Sequence, residues 1–378
     1  MQTLYEIPSD LSGKKILVRT DYDVPITDGV VREEDAMRIN ASIQTLDYLT
    51  ALGAQVIIIS HVGRKGESLA PIAAYLGEKR TLTFVRDILG DEAKMAIAEM
   101  TDTDIIMLEN LRTNPGEEGN DPEFAKTLAG YADYYVNESF AVSHRNHASI
   151  VGIPTYIPAY TGLQFEAEHR ALSKIKNPES PFVLVMGGAK FETKLPVMEQ
   201  FLDKAQTIIV GGALVNTLLQ KRGFSTGISL IDTTADVTGL LKAPNIFLPD
   251  RVIVERNGAG IDIPVTEILQ GDNIMDLSPQ SLERFRKTIA DAKTIVWNGP
   301  LGFYEKGYTK SSEKVIELIQ NSKAFSVVGG GDTVAMIRAK QLEGSFSFVS
   351  TAGGAMLEFL AQGTLPGIEA LNETIEGK

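Results

Sequence analysis

The sequence predicts an α/β protein made of two doubly wound, parallel-sheet domains joined by a helix. Apolar runs rich in valine and isoleucine alternate with amphipathic helical patterns along the chain. That alternation is typical of parallel sheets covered by helices on both faces. At 378 residues the chain is long for one hydrophobic core and comfortable for two. A helical segment at 161–176 separates two groups of strand-like runs.

The strand-like runs of the N-terminal half end in basic or hydrogen-bonding residues. They are "KKILVRTDYDVP", "AQVIIISHVGR", "DIIMLENLR" and "YYVNESFAVSHR". Ligands of open parallel sheets bind outside the carboxyl ends of the strands, so we expect an arginine-rich anion pocket in this half. The residues at or just past these ends are Arg19, Asp21, His61, Arg64, Arg112, His144 and Arg145.

The connection between the two domains is predicted to be a helix. Leu163, Ala167, Ala171 and Ile175 recur at helical spacing, and the two prolines of "NPESP" end the pattern. A stiff connecting helix suits two lobes that move as bodies. We expect a hinge near this helix and near the start of the C-terminal tail.

Five strand-like runs of the C-terminal half end in glycine-containing turns: "PFVLVMGGAK", "QTIIVGGALVN", "TIVWNGPLG", "AFSVVGGGDT" and "FSFVSTAGGAM". Glycine lets backbone N–H groups approach an anion, and a following helix N-terminus favours negative charge. The alternative is that these glycines only form tight strand-to-helix turns. No GxxxxGK[ST] loop and no full GxGxxG fingerprint is present, so the turns predict a nucleotide site of another kind.

Two charged features accompany these turns. Asp332 follows three glycines, where a carboxylate either caps a helix or holds Mg²⁺ beside nucleotide phosphates. Lys190 and Lys194 lie four residues apart and would share one helix face as phosphate partners, or form a solvated pair. Glu305 could bond a ribose hydroxyl. The sequence contains no HExxH pattern, which would suggest a zinc site, and no GxSxG pattern, which would suggest a serine nucleophile.

Composition narrows the function classes. A net charge of −13 argues against a general nucleic-acid or membrane-surface binder, which needs a basic face. The absence of cysteine excludes disulfides, thiolate metal sites and cysteine nucleophiles. The start of the chain lacks an apolar signal region, and the longest uncharged stretches are broken by proline, glycine or polar residues. We therefore expect a cytoplasmic location.

Taken in order, these motifs resemble the phosphoglycerate kinase family over essentially the whole chain. The matching stretches are "VRTDYDVP", "MRIN", "SHVGRKG", "LENLR", "VNESFAVSHRNHAS", "GGAKFETK", "IIVGGALVNTLL", "VWNGPLGFYE", "VVGGGDTV" and "STAGGAMLEFL". The resemblance implies two Rossmann-like domains and a monomer. It also implies reversible phosphoryl transfer between ATP and the carboxylate of 3-phosphoglycerate in glycolysis, with Mg²⁺. The acidic-substrate domain would span 1–160 with the tail 364–378, and the nucleotide-binding domain 161–363.

The resemblance also assigns residues. The substrate-binding set is Asp21, Asp23, Arg38, His61, Arg64, Arg112 and Arg145. The nucleotide-binding set is Gly188, Lys190, Lys194, Gly212, Asn298, Pro300, Glu305, Gly330, Gly331, Asp332 and Thr333, with Asp332 as the metal ligand. The catalytic set is Arg38, Lys190, Gly330 and Gly353. These two side chains and the glycine-rich helix starts would stabilise charge on the phosphoryl group during transfer.

The sequence departs from the family pattern at several positions. Asp23 occupies an asparagine position and puts a second carboxylate near an anionic substrate, which costs roughly 1–4 kcal/mol at about 4 Å unless a cation offsets it. Glu138 stands where an aspartate is usual, and Thr193 stands where a second aspartate is usual. Two alternatives therefore stay open: a kinase for a different small carboxylate, and a catalytically silent nucleotide-binding homologue. Neither the preferred base nor the oligomeric state follows from the residues themselves.

Overall fold

The computed structural model describes residues 1–64 and 66–373, which group into two compact units. The first is Met1–Arg170 with the described part of the tail that begins at Thr364, and the second is Ala171–Gly363. Residues 374–378 of the predicted tail lie outside the described part. No helix of the described residues is long and apolar enough to cross a membrane.

Unit 1 is built on a six-stranded, fully parallel sheet of order β3-β4-β2-β1-β5-β6. Its strands are β1 (Lys15–Thr20), β2 (Gln55–Ile59), β3 (Thr83–Val85), β4 (Ile105–Leu108), β5 (Tyr134–Glu138) and β6 (Ala159–Thr161). The helices between them are α1 (Met37–Ala51), α2 (Ala70–Gly77), α3 (Asp91–Ala98), α4 (Pro115–Glu118) and α5 (Pro122–Ala129). The central strands are buried along almost their whole length, as predicted for a sheet covered on both faces.

The predicted connecting helix is α6 (Leu163–Lys176), which starts two positions later than the sequence pattern indicates. Gly162 precedes it because a Cβ there would lie 1.9 Å from a carboxylate oxygen of Glu138. That carboxylate accepts the N–H groups of Gln164 and Phe165 at 3.2 and 3.3 Å. Thr45 donates its hydroxyl to Glu138 at 2.6 Å and accepts the N–H of Leu163 at 2.9 Å. These contacts satisfy N–H groups that a helix start leaves unpaired.

Glu138 should make stability depend on pH. Burial raises its pKa from 4.5 to about 8. The folded chain then holds one more proton than the unfolded chain between these values, so this group lowers the free energy of unfolding as pH rises through that window. The slope is up to about 1.4 kcal/mol per pH unit. Urea unfolding of the native protein and Glu138→Gln at pH 5, 6, 7 and 8 should show that the variant loses this slope; equal slopes would contradict the assignment.

Unit 2 carries a second six-stranded parallel sheet, of order β15-β14-β13-β7-β8-β9. Its strands are β7 (Phe182–Met186), β8 (Thr207–Val210), β9 (Ile246–Phe247), β13 (Thr294–Asn298), β14 (Phe325–Gly329) and β15 (Phe348–Val349). Between β9 and β13 the chain forms an antiparallel sheet from β10 (Arg251–Arg256), β11 (Ala259–Pro264) and β12 (Asn273–Leu277). This small sheet was not predicted, because the sequence was interpreted as parallel throughout.

The helices of unit 2 follow the glycine turns or cover the sheet. They are α7 (Phe191–Gln200), α8 (Gly212–Lys221), α9 (Thr238–Lys242), α10 (Pro279–Glu283), α11 (Arg286–Asp291), α12 (Lys310–Gln320), α13 (Gly331–Ala339) and α14 (Gly354–Gln362). The chain then returns to unit 1 with α15 (Pro366–Asn372). There Gly367 donates its N–H to the carbonyl of Ser143 at 2.8 Å, which attaches the tail beside the end of β5.

Candidate active site

The basic residues predicted in the N-terminal half lie at the carboxyl edge of the unit 1 sheet. β1 pairs with β2 on one side and with β5 on the other, so the segments that follow these strands are neighbours. Arg112 sits in a short 3₁₀ turn after β4, where the side chain of Asn110 accepts its N–H at 3.0 Å. Arg64 is exposed on the loop after β2. The parallel sheet thus brings together residues that are far apart in sequence.

Arg38 lies in the first turn of α1 and faces the segment after β1. Its Nη1 is 3.1 Å from a carboxylate oxygen of Asp21 and donates to the carbonyl of Asp23 at 3.0 Å. Asp21 is buried, whereas the side chain of Arg38 keeps 29% of its surface exposed. The guanidinium is therefore fixed from one side and still accessible to a ligand.

Asp23 is the residue at the family's asparagine position, and neighbouring groups partly offset its negative charge. Its Oδ1 accepts the N–H of Gly63 at 2.9 Å. Its charge also favours the cationic form of Arg112, and its Oδ2 lies 4.0 Å from Nε2 of His61. The carboxylate remains 42% exposed, so it still presents negative charge to the pocket.

Cations crowd the rest of this edge. Burial, followed by Arg19, Arg112 and Arg145, lowers the pKa of His61 well below its ordinary value. Burial and the same arginines lower the pKa of His147 to about 4. Burial and Arg145 also lower the pKa of Arg112. The histidines are therefore neutral at pH 7, and the arginines create a positive field suited to an anion.

Arg112 is poised to receive a ligand. Its side chain is only 4% exposed, and its Nη1 donates to the carbonyl of Gly63 at 2.6 Å. Its Nη2 is buried without a hydrogen-bond partner among residues 1–64 and 66–373. A buried donor left unpaired costs about 1–3 kcal/mol, and an incoming anion would remove that cost.

In unit 2, some glycines of the turns allow close packing, and others leave open space. A Cβ on Gly212, which has φ +59°, would lie 2.5 Å from the backbone of Gly188, and one on Gly187 would lie 2.1 Å from the carbonyl of Pro300. These glycines let turns pack against each other. At Gly331, Gly353 and Gly354, by contrast, a Cβ would meet nothing within 4 Å. That open space beside helix starts could accommodate a ligand.

The turns enclose a cleft of about 780 Å³. Ten of the eleven predicted nucleotide-binding residues line it: Gly188, Lys190, Lys194, Gly212, Asn298, Pro300, Glu305, Gly330, Gly331 and Asp332. Gly353, predicted as catalytic, also lines it. Thr333 does not line it, because its side chain is fully buried behind the first turn of α13.

Asp332 and the two lysines are charged residues that line this cleft. The N-cap of α13 is Gly330 and makes no side-chain cap; Asp332 lies one position inside the helix and is exposed. Lys190 is the N-cap of α7, and Lys194 is buried within that helix. Burial and Lys190 lower the pKa of Lys194, while Asp332 opposes that shift. Both signs of charge therefore face the same space.

The exposed carboxylate of Asp332 beside the glycine turns suits Mg²⁺, which is usually held by one or two carboxylates together with phosphate oxygens. Among residues 1–64 and 66–373, no three His, Asp or Glu side chains cluster to hold a metal by themselves. A metal at Asp332 would thus arrive with, or be completed by, the nucleotide.

The apolar wall of the cleft was missed by sequence reasoning. It consists of Ile228, Leu230, Ile274, Met275, Leu277, Leu301, Phe303 and Leu357. Ile228 and Leu230 are 68% and 63% exposed although they are large and apolar. Exposed apolar side chains that line a concave site are typical of ligand pockets. The sequence signal was weak for Ile228 and Leu230, which lie on a loop without a glycine motif, and for Ile274, Met275 and Leu277, which lie on the unpredicted strand β12.

The chain is similar to known proteins in both sequence and structure. The family model for phosphoglycerate kinase matches residues 6–363. A phosphoglycerate kinase from Dictyoglomus turgidum is 38% identical over 96% of this chain and 97% of its own length, and one from Thermosipho africanus is 40% identical over 96% of both. Solved phosphoglycerate kinase structures from Coxiella burnetii and Pyrococcus horikoshii match at TM-scores of 0.85 and 0.86, with 32% and 30% identity and 98% coverage of each chain.

Proposed function

This chain belongs to the phosphoglycerate kinase family, and from that premise we propose which of its residues hold each substrate. The enzyme transfers a phosphoryl group between ATP and the carboxylate of 3-phosphoglycerate in glycolysis. The observation that carries the assignment of residues is a cleft in unit 2 that is lined by ten predicted residues from separate turns.

3-Phosphoglycerate binds at the carboxyl edge of the unit 1 sheet. The positive field and the hydrogen-bond donors come from Arg38, His61, Arg64, Arg112 and Arg145. The buried Nη2 of Arg112 is available to donate a hydrogen bond. Asp21 holds Arg38 from behind at 3.1 Å. Fixed guanidinium groups recognise carboxylate and phosphate well, because their donors match both oxygens of such a group.

ATP binds in the cleft of unit 2. The turns at Gly188, Gly330, Gly331 and Gly353 and the lysines Lys190 and Lys194 contact its phosphates, while the apolar wall at Ile228 and Leu230 packs against the base. Glu305 is exposed at the cleft and bonds the ribose. Asn298 and Pro300 shape the floor, since both are buried. Thr333 lies in the first turn of α13 with its side chain buried.

Asp332 would hold Mg²⁺ together with the nucleotide phosphates, and the bound ion would neutralise charge on the phosphate oxygens. The acceptor carboxylate of 3-phosphoglycerate is ionised at neutral pH, so the reaction needs no general base. Arg38 and Lys190, together with the N–H groups near Gly330 and Gly353, stabilise charge on the transferring group, and positioning supplies the rest of the rate.

Transfer joins an acceptor held by unit 1 to a phosphate held by unit 2, so we propose that the units close on each other in every cycle about a hinge near α6. Closure also excludes water, which would otherwise compete as acceptor. Small-angle scattering should show a smaller radius of gyration with both substrates than with either alone. An unchanged radius would count against this step.

We further propose a cytoplasmic monomer that needs no partner beyond its small-molecule substrates. The glycolytic role of the family supports the location, and both pockets are built within a single chain. The net charge of −13 supports the absence of a nucleic-acid partner.

A coupled assay tests the function. ATP-dependent phosphorylation of 3-phosphoglycerate should exceed that of glycerate, 2-phosphoglycerate and acetate by at least about tenfold in kcat/KM, since each lacks or misplaces one anionic group. Preference for another acid would favour the alternative kinase. Binding of both ligands without turnover would favour the silent homologue.

Replacing Asp23 by asparagine should tighten binding of 3-phosphoglycerate about fivefold. The variant removes a 42% exposed negative charge from the pocket but keeps an oxygen to accept the N–H of Gly63. A gain of about 1 kcal/mol corresponds to that change in Kd. Calorimetry with 3-phosphoglycerate measures it, and weaker binding in the variant would show that Arg112 already neutralises Asp23.

A further inference from the structure

Arg19 is an arginine in the substrate-binding unit whose side chain points into the protein. It is the penultimate residue of β1 and is 1% exposed. Its Nε donates to the hydroxyl of Ser149 at 2.8 Å, its Nη1 donates to the carbonyl of Thr20, and its Nη2 lies 3.1 Å from Nδ1 of His61. Each nitrogen of the guanidinium therefore already has a partner inside unit 1.

The charge of Arg19 is balanced by a buried carboxylate. Glu117 is fully buried, and its Oε1 lies 3.9 Å from Nη2 of Arg19. It accepts the N–H and the hydroxyl of Ser149 at 2.9 and 2.6 Å. Arg19, Glu117 and Ser149 therefore form a closed network that fixes the orientation of the guanidinium.

The contact between Arg19 and His61 fixes a proton position. A guanidinium can only donate hydrogen bonds, so Nδ1 of His61 must be the acceptor and cannot carry a proton. In a neutral imidazole the proton then resides on Nε2. That atom is buried without a hydrogen-bond partner among the described residues, and Oδ2 of Asp23, at 4.0 Å, is too distant to accept from it.

We propose that Arg19 is a positioning residue that holds His61 as a neutral imidazole with its Nε2–H available to the acidic substrate. The inference rests on the proposed substrate site in unit 1 and assigns no direct substrate contact to Arg19. His61 thus supplies a directional donor, while the charge that attracts the anion comes from the exposed arginines.

The surroundings of His61 support the neutral form. Arg19, Arg112, Arg145 and His147 all disfavour its protonation, as does burial. The carboxylate of Asp23, whose Oδ2 lies 4.0 Å from Nε2, remains 42% exposed. A hydrogen bond from the buried Nε2–H to an oxygen of the substrate would satisfy this donor. The contact supplies specificity, because an analogue lacking that oxygen leaves the donor unpaired.

Nitrogen-15 NMR of the ligand-free full chain tests the proton position without reference to activity. The chain has four histidines, and the His61→Gln variant identifies the missing signals. At pH 7, His61 should show a protonated Nε2 and an unprotonated Nδ1. A proton on Nδ1, or on both nitrogens, would overturn the proposal whether or not any variant folds.

Kinetics of Arg19→Lys separate positioning from charge. Lysine keeps the charge but cannot reach Ser149, Thr20 and His61 together, so we expect the His61 signals to change and the KM for 3-phosphoglycerate to rise about tenfold, with the KM for ATP unchanged. Lys14→Met is the control, because Lys14 is half-exposed and pairs with Asp133 at the surface; both KM values should stay the same.

The outcomes are distinguishable. A raised KM for 3-phosphoglycerate with unaltered His61 signals would mean that Arg19 acts by another route and would refute the proposal. Unaltered signals with unaltered KM would refute it as well. If the native enzyme fails to phosphorylate 3-phosphoglycerate, the proposed substrate site fails, while the spectrum of His61 still reports the proton position on its own.

Discussion

Replacing Arg38 by alanine is expected to lower kcat by about 10³–10⁵ while leaving the Kd for ADP within about twofold. The large effect follows from the loss of a guanidinium that stabilises charge on the transferring phosphoryl group, for which such factors are typical. ADP binding survives because every residue that lines the nucleotide cleft belongs to unit 2. Stopped-flow turnover and calorimetry with ADP measure the two quantities.

Folding has to be controlled in this experiment. Removal of Arg38 leaves the buried carboxylate of Asp21 without its ion pair at 3.1 Å, so some loss of stability is expected. Arg38→Lys keeps the charge and should melt close to the native protein, yet it lacks the planar guanidinium whose Nη1 contacts both Asp21 and the carbonyl of Asp23. A folded Arg38→Ala protein that loses ADP affinity would contradict the assignment of the two units.

Replacing Asp332 by asparagine should lower kcat/KM for Mg²⁺–ATP by about 10²–10⁴. The expectation assumes that this carboxylate holds the metal, whose charge stabilisation is worth several kcal/mol. Activity should recover partly at high Mg²⁺, and the Kd for metal-free ADP should stay nearly the same. Titration of activity against Mg²⁺ at fixed ATP provides the measurement.

Two features make the Asp332 experiment selective. Asp332 is not the N-cap of α13 and makes no side-chain cap, and asparagine has nearly the same size, so a purely structural role at the start of α13 would leave turnover nearly unaffected. Asp203→Asn removes an exposed carboxylate from the same unit and should leave kcat/KM unchanged. If Asp332→Asn behaves like Asp203→Asn, Asp332 is not the metal ligand.

The architecture could be predicted because its determinants are local in sequence. Continuous apolar runs specify buried parallel strands, and the helical period between them specifies the covering layers. The antiparallel sheet β10 to β12 escaped prediction, since its strands have partly exposed faces and sit inside a region interpreted as parallel. The start of α6 at Leu163 depends on Glu138, a contact between residues far apart in sequence.

The site could be predicted only in part, for a related reason. Lys190 and Asp332 stand next to glycine motifs that mark them, whereas Ile228 and Ile274 belong to the cleft through tertiary structure alone. Arg19 illustrates the limit most clearly. Its position near a strand end places it among the other arginines. Only the packing of Glu117 and Ser149 shows that its side chain makes its polar contacts inside the protein.

A crystal structure with 3-phosphoglycerate and Mg²⁺–ADP bound together tests the central claim most directly. We predict the acid against Arg38, Arg112 and Arg145 in unit 1, and the nucleotide in the unit 2 cleft with the metal on Asp332. Density for the acid and the nucleotide within the same unit, or for a nucleotide remote from the turns at Gly188 and Gly330, would contradict the account.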